Sequence, residues 1–401
     1  MSESPILGQV ALGYAPMIDR ERRATAIRLT VFPARPDAAV PAAPLLAALA
    51  EAWPEDAGRV ALNVASETLL HDLMLAQPAR NVMVEVPAFM AADPAHGDAI
   101  VALHRHGNTL MLQGRPRTEL PREVLPCFAQ AIVDLAEERR SDAVPAPGVT
   151  RSIGFVQSGV RTASEVEAAF KRGAQAVLGW PLDDPLPPGA AGAAGKSDLQ
   201  TVAELMRRVD QEEPVDRLDA VIKLDPTLGF KLLRYINSAA FGLRVEIASF
   251  RHAVMMLGYQ RLKRWLALLL AQASKERDMK PVMFAALRRG LLMEELVRAG
   301  GLAQGDAQMR DEAFICGVFS LLDKLMRQPF GELLKSIPVP ATVQQALVDG
   351  AGPYQPYLEL VQAVESAAMF DVREIAERLM MSVGEVNAAL LRALATARQL
   401  D

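Results

Sequence analysis

The sequence predicts two domains of different class, an N-terminal α/β part followed by an all-helical part. Its 401 residues exceed the size that one hydrophobic core usually serves. Before Pro181, apolar runs of strand length alternate with helix-like stretches, whereas no strand signal of comparable strength appears after Ser197. Pro181 to Ser197, PLDDPLPPGAAGAAGKS, separates the two, because proline gives way there to small flexible residues and no hydrophobic period survives. The boundaries read from this pattern are a first domain over 1–183, a linker over 184–196 and a helical domain over 197–401.

In the first part VALNVA (Val60–Ala65), VMVEVP (Val82–Pro87) and TLMLQG (Thr109–Gly114) have strand length and aliphatic or β-branched content. AIVDLAEE and IGFVQSG give two further strand starts. TASEVEAAFKRG carries capping-box spacing at Thr162 and Glu165 before an apolar helix face. The alternation predicts a parallel α/β sheet or barrel. In the second part Leu199, Val202, Leu205, Met206 and Val209 recur at helical spacing, and Asp225-Pro226 pairs a cap with a first-turn proline. Helical patterns follow over Leu262–Leu270, Met283–Val297, Glu312–Met326 and Leu358–Ala368. DVRE (Asp371–Glu374) and SVGE (Ser382–Glu385) both have capping-box spacing and predict two short helices joined by a tight turn.

Hydrophobic residues make up 51% of the chain and charged residues 23%, a globular composition rather than a disordered one. The net charge of -5 presents no cationic field to a polyanion, which argues against nucleic acid as a partner. Cys127 and Cys316 are the only cysteines and lie in different predicted domains, so no disulfide framework is expected and a reducing compartment fits. The first residues lack a signal-peptide pattern, and no run of about 18 residues is apolar without a charge. A cytoplasmic protein with no membrane partner is expected.

The stretch DPTLGFKLLRYINSAAFG, Asp225 to Gly242, continues as IASFRHAVMMLGYQRLKRWLALLLA to Ala271. With Asp225, Pro226, Asn237, Ser238 and Gly242, then Arg251 and Gly258, it resembles the signature region of HDOD domains. Asn237 and Ser238 suit the end of a helix, where short polar side chains bond free backbone groups, and are read as caps rather than ligand contacts. Gly242 and Gly258 are read as helix-ending glycines. HDOD domains are similar in fold to HD metal-dependent phosphohydrolases but lack their metal ligands. Here Ser320 and Leu321 fall where the adjacent His-Asp pair belongs, Asp323 is the only nearby carboxylate, and His252 is the only histidine after Ser197. The resemblance therefore implies no metal and no catalysis in this half.

YAPMIDRERRATAIRL, through Pro16, Asp19, Arg20, Arg22 and Arg23, resembles the start of the divergent EAL domains found fused to HDOD domains. EAL phosphodiesterases of cyclic di-GMP signalling hold divalent cations with carboxylates and an asparagine, since hard cations want oxygen. Carried over position by position, the motif glutamate falls at Arg28. The asparagine survives as Asn63 and the third-strand glutamate as Glu85. The paired aspartates fall at Gln113 and Gly114, the lysine at Ile132 with Asp134 beyond it, and the later glutamate at about Phe155. The resemblance thus implies an N-terminal degenerate EAL-type (β/α) barrel without phosphodiesterase activity or cofactor. Whether Arg28 receives a phosphate or pairs with Glu85 is open at this level.

Other signals are weaker. GAAGAAGKS lacks the first glycine of a phosphate-binding loop, Ala190 standing in its place, and has no strand before it. His104 and His106, with His96 upstream, read as a solvated helix end before Gly107 rather than a metal site. EIAERLMMSVGEVNAALLRALATA resembles a helix-turn-helix in outline, but its arginines are matched by acids, so packing back on the helical core is the expectation. Arg261, Lys263 and Arg264 surround Trp265, which is read as buried together with Leu262, Leu266 and Leu269. The reading as a whole is a non-catalytic bacterial signalling scaffold whose HDOD domain is the output module. Its partners are other signalling proteins, with homodimerisation implied because EAL barrels commonly pair. The alternative is a catalytically dead receptor for cyclic di-GMP.

Overall fold

The computed structural model of the protein describes residues 4–35, 39–140, 153–185, 196–222, 250–271, 277–301, 306–334 and 339–400. The chain divides into two compact units. The first is Met1–Asp184 with Gln362–Glu377 and Ser382–Ala388, and the second is Pro185–Val361 with Arg378–Met381 and Ala389–Asp401. Against the expectation that 197–401 forms one helical domain, two stretches of it belong to the first unit.

Eight strands close a barrel in sequence order: β1 (Val10–Ile18), β2 (Ala24–Pro33), β3 (Arg59–Val64), β4 (Val82–Pro87), β5 (Leu110–Gln113), β6 (Phe128–Asp134), β7 (Gly154–Ser158) and β8 (Ala176–Leu178). From β2 to β8 neighbours are parallel, as the alternation predicted. β1 is the exception and runs antiparallel to both β2 and β8. A two-fold side-chain period turns every second residue inward, and one layer of apolar side chains fills the centre: Met17, Ala26, Ala61, Met83, Met111, Ile132, Val156, Ala176 and Leu178.

Local chemistry fixes the elements around this core. The hairpin between β1 and β2 is tied by Asp19, whose Oδ1 accepts from the Arg23 backbone at 2.8 Å and whose Oδ2 accepts from Arg23 Nε at 3.1 Å. Arg20 reaches the Ala174 carbonyl, and Arg22 donates to Glu167 at 2.8 Å while lying over the Phe170 ring. The basic motif that carries the EAL resemblance is therefore structural along this turn. The Thr162–Glu165 capping box forms and starts the helix Ala163–Lys171. The helix Pro94–His106 ends at Gly107 in the left-handed conformation, as read from His104 and His106.

The C-terminal stretches of the first unit hold β1. Asn387, only 1% exposed, accepts from the Leu12 backbone at 3.0 Å and donates to the Leu7 and Val10 carbonyls at 2.8 and 2.7 Å. Tyr14 donates to Glu365 at 3.3 Å, and Arg373 donates to the Ala34 carbonyl. An amphipathic helix reveals that one face is covered but not by what. The expectation that these helices pack back on the helical core holds for Ala389–Asp401, whose Arg392 pairs with Glu295, but Ser382–Ala388 belongs to the first unit. Ser382 and Glu385 form the expected reciprocal cap, whereas Asp371 does not start a helix, since the helix Met369–Arg378 already begins two residues earlier.

The regular elements described in the second unit are all helices. Lys196–Asp210, Val215–Ile222, Phe250–Ala271, Lys280–Ala299 and Ala307–Phe319 are its main helices. Leu262, Trp265, Leu266 and Leu269 are buried, as their spacing predicts. Lys280–Ala299 and Ala307–Phe319 cross at two glycines: a Cβ on Gly317 would lie 2.5 Å from the Arg289 carbonyl oxygen. Gly258 breaks Phe250–Ala271 with φ 70° and ψ 170°, a conformation only glycine adopts cheaply. Asp225, Pro226, Asn237, Ser238 and Gly242 lie outside the described residues, as does the side chain of Arg251. Among the described residues no helix is long and apolar enough to cross a membrane.

Replacing Asn387 by Ala strands three buried backbone groups at once. The loss expected is about 3 kcal/mol, at roughly 1 kcal/mol per bond, read as a lower urea midpoint with an unchanged far-ultraviolet spectrum. Both cysteines are buried and free, and burial pushes the Cys316 thiol up to about 12. Neither thiol should react with a disulfide reagent at pH 8 until denaturant is added, which a thiol titration checks.

Candidate functional site at the barrel mouth

Side chains two residues beyond the apolar layer also face inward, toward the C-terminal ends of the parallel strands. From Ala26, Ala61, Met83, Met111, Ile132 and Val156 the step of two leads to Arg28, Asn63, Glu85, Gln113, Asp134 and Ser158. One strand pattern therefore gathers residues far apart in sequence into a polar layer. Arg28, Asn63, Gln113, Asp134 and Ser158 line a cavity of about 1090 Å³, together with Pro87, Phe89, Asp93, Gly114, Arg115, Arg117, Ile132 and Glu137.

Arg28 and Glu85 form the centre of this layer. Nε of Arg28 donates to Glu85 Oε1 at 2.7 Å and Nη2 donates to Oε2 at 2.6 Å. Glu85 is 0% exposed and the Arg28 side chain 17%, so a two-bonded ion pair is sequestered at the inner end of the barrel mouth. Of the two alternatives left open for Arg28, the structure has the ion pair.

The remaining oxygen donors divide sharply. Asp134 accepts from the Ala136 backbone at 2.8 Å through Oδ1, capping the helix Leu135–Arg140, and from Ser158 Oγ at 3.2 Å through Oδ2. Both its oxygens are engaged. Asn63 is half-buried at the cavity wall and makes no hydrogen bond with the described residues. Phe155 is not a mouth residue. It points away from the barrel axis into a cluster with Val133, Val166 and Ala169, and Ser158 holds the inward position at the end of β7. The carry-over from sequence was out of phase there, because IGFVQSG offers no charged residue to anchor the register.

Sequence reasoning also missed the rim. Phe89, 64% exposed, follows β4 directly, and exposed Arg115 and Arg117 follow β5. The string RPRT after a strand was the available signal. His96 does not join His104 and His106. Its Nδ1 lies 2.9 Å from His71 Nδ1 and its Nε2 lies 3.3 Å from Glu67 Oε1, while His106 bonds Asn108 at 2.9 Å.

In the second unit, Ser320 and Leu321 follow the helix Ala307–Phe319. Ser320 Oγ donates to the Gly317 carbonyl at 2.7 Å and accepts from Arg289 at 3.1 Å, while Leu321 is buried. Burial pushes the Asp323 carboxyl above its usual range, opposed by a backbone hydrogen bond and by nearby Lys324 and Arg289. Among the described residues no group of three or more His, Cys, Asp or Glu side chains could hold a metal ion.

Residues 197–330 match the HDOD domain family. Two curated relatives align at 28% identity. One is the uncharacterized protein YuxH of Bacillus subtilis, over 220 residues, 54% of this chain and 52% of YuxH. The other is the cyclic di-GMP phosphodiesterase CdgJ of Vibrio cholerae, over 192 residues, 47% of this chain and 43% of CdgJ. A closed eight-stranded barrel thus precedes a stretch that matches the HDOD domain. The chain matches about half the length of these curated relatives. Among solved structures, the Bacillus subtilis YkuI protein, with an EAL domain and in complex with c-di-GMP and calcium, superposes with TM-score 0.33 at 12% identity, covering 64% of this chain and 76% of that one.

The barrel mouth can be tested by mutation. Arg28→Ala leaves a buried, unpaired carboxylate and is expected to cost about 3–5 kcal/mol. Arg28→Met combined with Glu85→Leu, which removes both charges, should recover most of that loss, and a double-mutant cycle by chemical denaturation measures the difference.

Proposed function

We propose that this chain is an EAL–HDOD protein and works in cyclic di-GMP signalling without hydrolysing the dinucleotide, passing signals through protein–protein contacts with the HDOD domain as output module. The observation that carries the reading is the Arg28–Glu85 pair. Magnesium-dependent cleavage of a phosphodiester needs carboxylate oxygens free to hold the cation that activates water. Here a guanidinium sits where the first carboxylate belongs and occupies both oxygens of Glu85. Asp134 is engaged by a helix start and a serine hydroxyl. The mouth carries its buried positive charge as a side chain.

A second reading is favoured by the cavity itself. Its volume of about 1090 Å³ lies at the top of the range for ligand sites, and its wall offers the Asn63 amide, an exposed Phe89 ring and the guanidinium groups of Arg115 and Arg117. An aromatic face for a base and arginines for phosphate are what a dinucleotide receptor requires. In this reading the barrel binds cyclic di-GMP and regulates the HDOD domain.

Calorimetric titration with cyclic di-GMP, with and without magnesium or manganese, and a hydrolysis assay on the same samples separate the outcomes. No turnover is expected under any condition. Heat at micromolar ligand, lost in Arg115→Ala/Arg117→Ala, supports the receptor. An absence of heat supports the scaffold. Metal-dependent turnover abolished by Glu85→Ala overturns both.

A further inference from the structure

The helical unit contains a second, smaller cavity of about 300 Å³, lined by Arg261, Arg264, Glu294, Arg298, Ala307, Arg310 and Asp311. Four guanidinium groups face two carboxylates. Both carboxylates are drawn to one arginine: Arg264 donates to Glu294 at 2.8 and 2.5 Å, lies 3.4 Å from Asp311, and stacks 3.9 Å over the Phe314 ring. Arg298 pairs with Glu295, a carboxylate that Arg392 also holds at 2.6 Å. Arg261 and Arg310 make no hydrogen bond or ion pair with the described residues, and Arg310 is half-buried. Glu294 is therefore spent on Arg264, Asp311 lies between Arg264 and Arg261, and the guanidinium groups of exposed Arg261 and half-buried Arg310 remain without a hydrogen-bonded partner among the described residues.

A guanidinium offers parallel N–H donors matched to two oxygens of one anionic group, and its attraction grows as water is excluded. The helix start at Ala307 does not supply the anion, because Asp306 already caps it through the Gln308 and Met309 backbones at 2.8 and 3.3 Å. The recess must be satisfied by side chains and by something from outside. Its volume admits a phosphoryl group with a few attached atoms and is too small for a polymer.

We propose that Arg261 and Arg310 form an anion-binding site for the phosphoryl group of a small phosphorylated ligand, oriented by the Arg264–Glu294 pair behind it. The site is independent of the barrel mouth. It gives the HDOD domain a small-molecule input of its own.

The test uses the full chain and two probes, inorganic phosphate and pyrophosphate, titrated calorimetrically at low ionic strength. Saturable one-to-one binding is expected, stronger for pyrophosphate and weakened by about ten-fold or more in Arg261→Ala/Arg310→Ala, the equivalent of losing one charge-assisted hydrogen bond. Arg310→Lys, which keeps the charge but not the fork, should weaken binding by less and guards against a double variant that fails to fold. Arg207→Ala, exposed and outside the recess, should leave the affinity unchanged. No saturable heat at millimolar probe, or equal affinity in the folded double variant, overturns the assignment. So does loss of binding in Arg207→Ala.

Discussion

Glu85 has no exposure at all, and a carboxylate so placed needs a cation beside it. In a barrel of this kind two cations are available, a metal from solution or a side chain from the strand opposite. The chain carries its own at Arg28, held by two hydrogen bonds, and the other oxygens of the mouth have partners of their own or none among the described residues. Asp134 turns to a helix start and a serine, and the strand after Met111 ends in Gln113 and Gly114. Removing either partner of such a pair leaves a buried charge alone, which is why the pair fixes the barrel as well as the chemistry.

The second constraint lies at β1. A strand running antiparallel to both neighbours closes the barrel, and on the β8 side its register comprises only Met17 with Leu178 and Ile18 with Val177. Asn387 supports the N-terminal end of that strand through three backbone bonds, and Tyr14 is tied to Glu365. The last helices thus serve the first unit although they follow the HDOD domain in sequence. A cut at the proline-rich linker would give a barrel without these contacts, so linker composition alone is a poor guide to what folds independently here.

Much of this was legible. Val82–Pro87 is a strand to the residue, the Thr162 and Ser382 caps form, and Trp265 is buried at the spacing that predicts it. These depend on local chemistry, which a window of sequence contains. β1 escaped because VALGYAPMI holds a glycine and a proline and is buried on nearly every residue, so no two-residue alternation shows. β8 is three residues long and gives no period. At the site, the charge at position 28 was readable but its partner was one of two alternatives, and the inward step from Val156 to Ser158 became visible only once the register of β7 was known.

Net charge misleads about anions at this scale. A total of -5 means that the long-range field repels a polyanion, which is why nucleic acid is a poor partner. That field is screened within about 8 Å at physiological ionic strength. A recess a few ångströms across responds to the groups on its own wall. At the barrel mouth Arg28 is spent on Glu85, and in the helical unit Arg264 is spent on Glu294, so in each place one arginine is structural while further arginines line the same recess. An acidic chain can therefore repel a nucleic acid strand and still bind a single phosphate, because the first depends on the sum of its charges and the second on which of them are already paired.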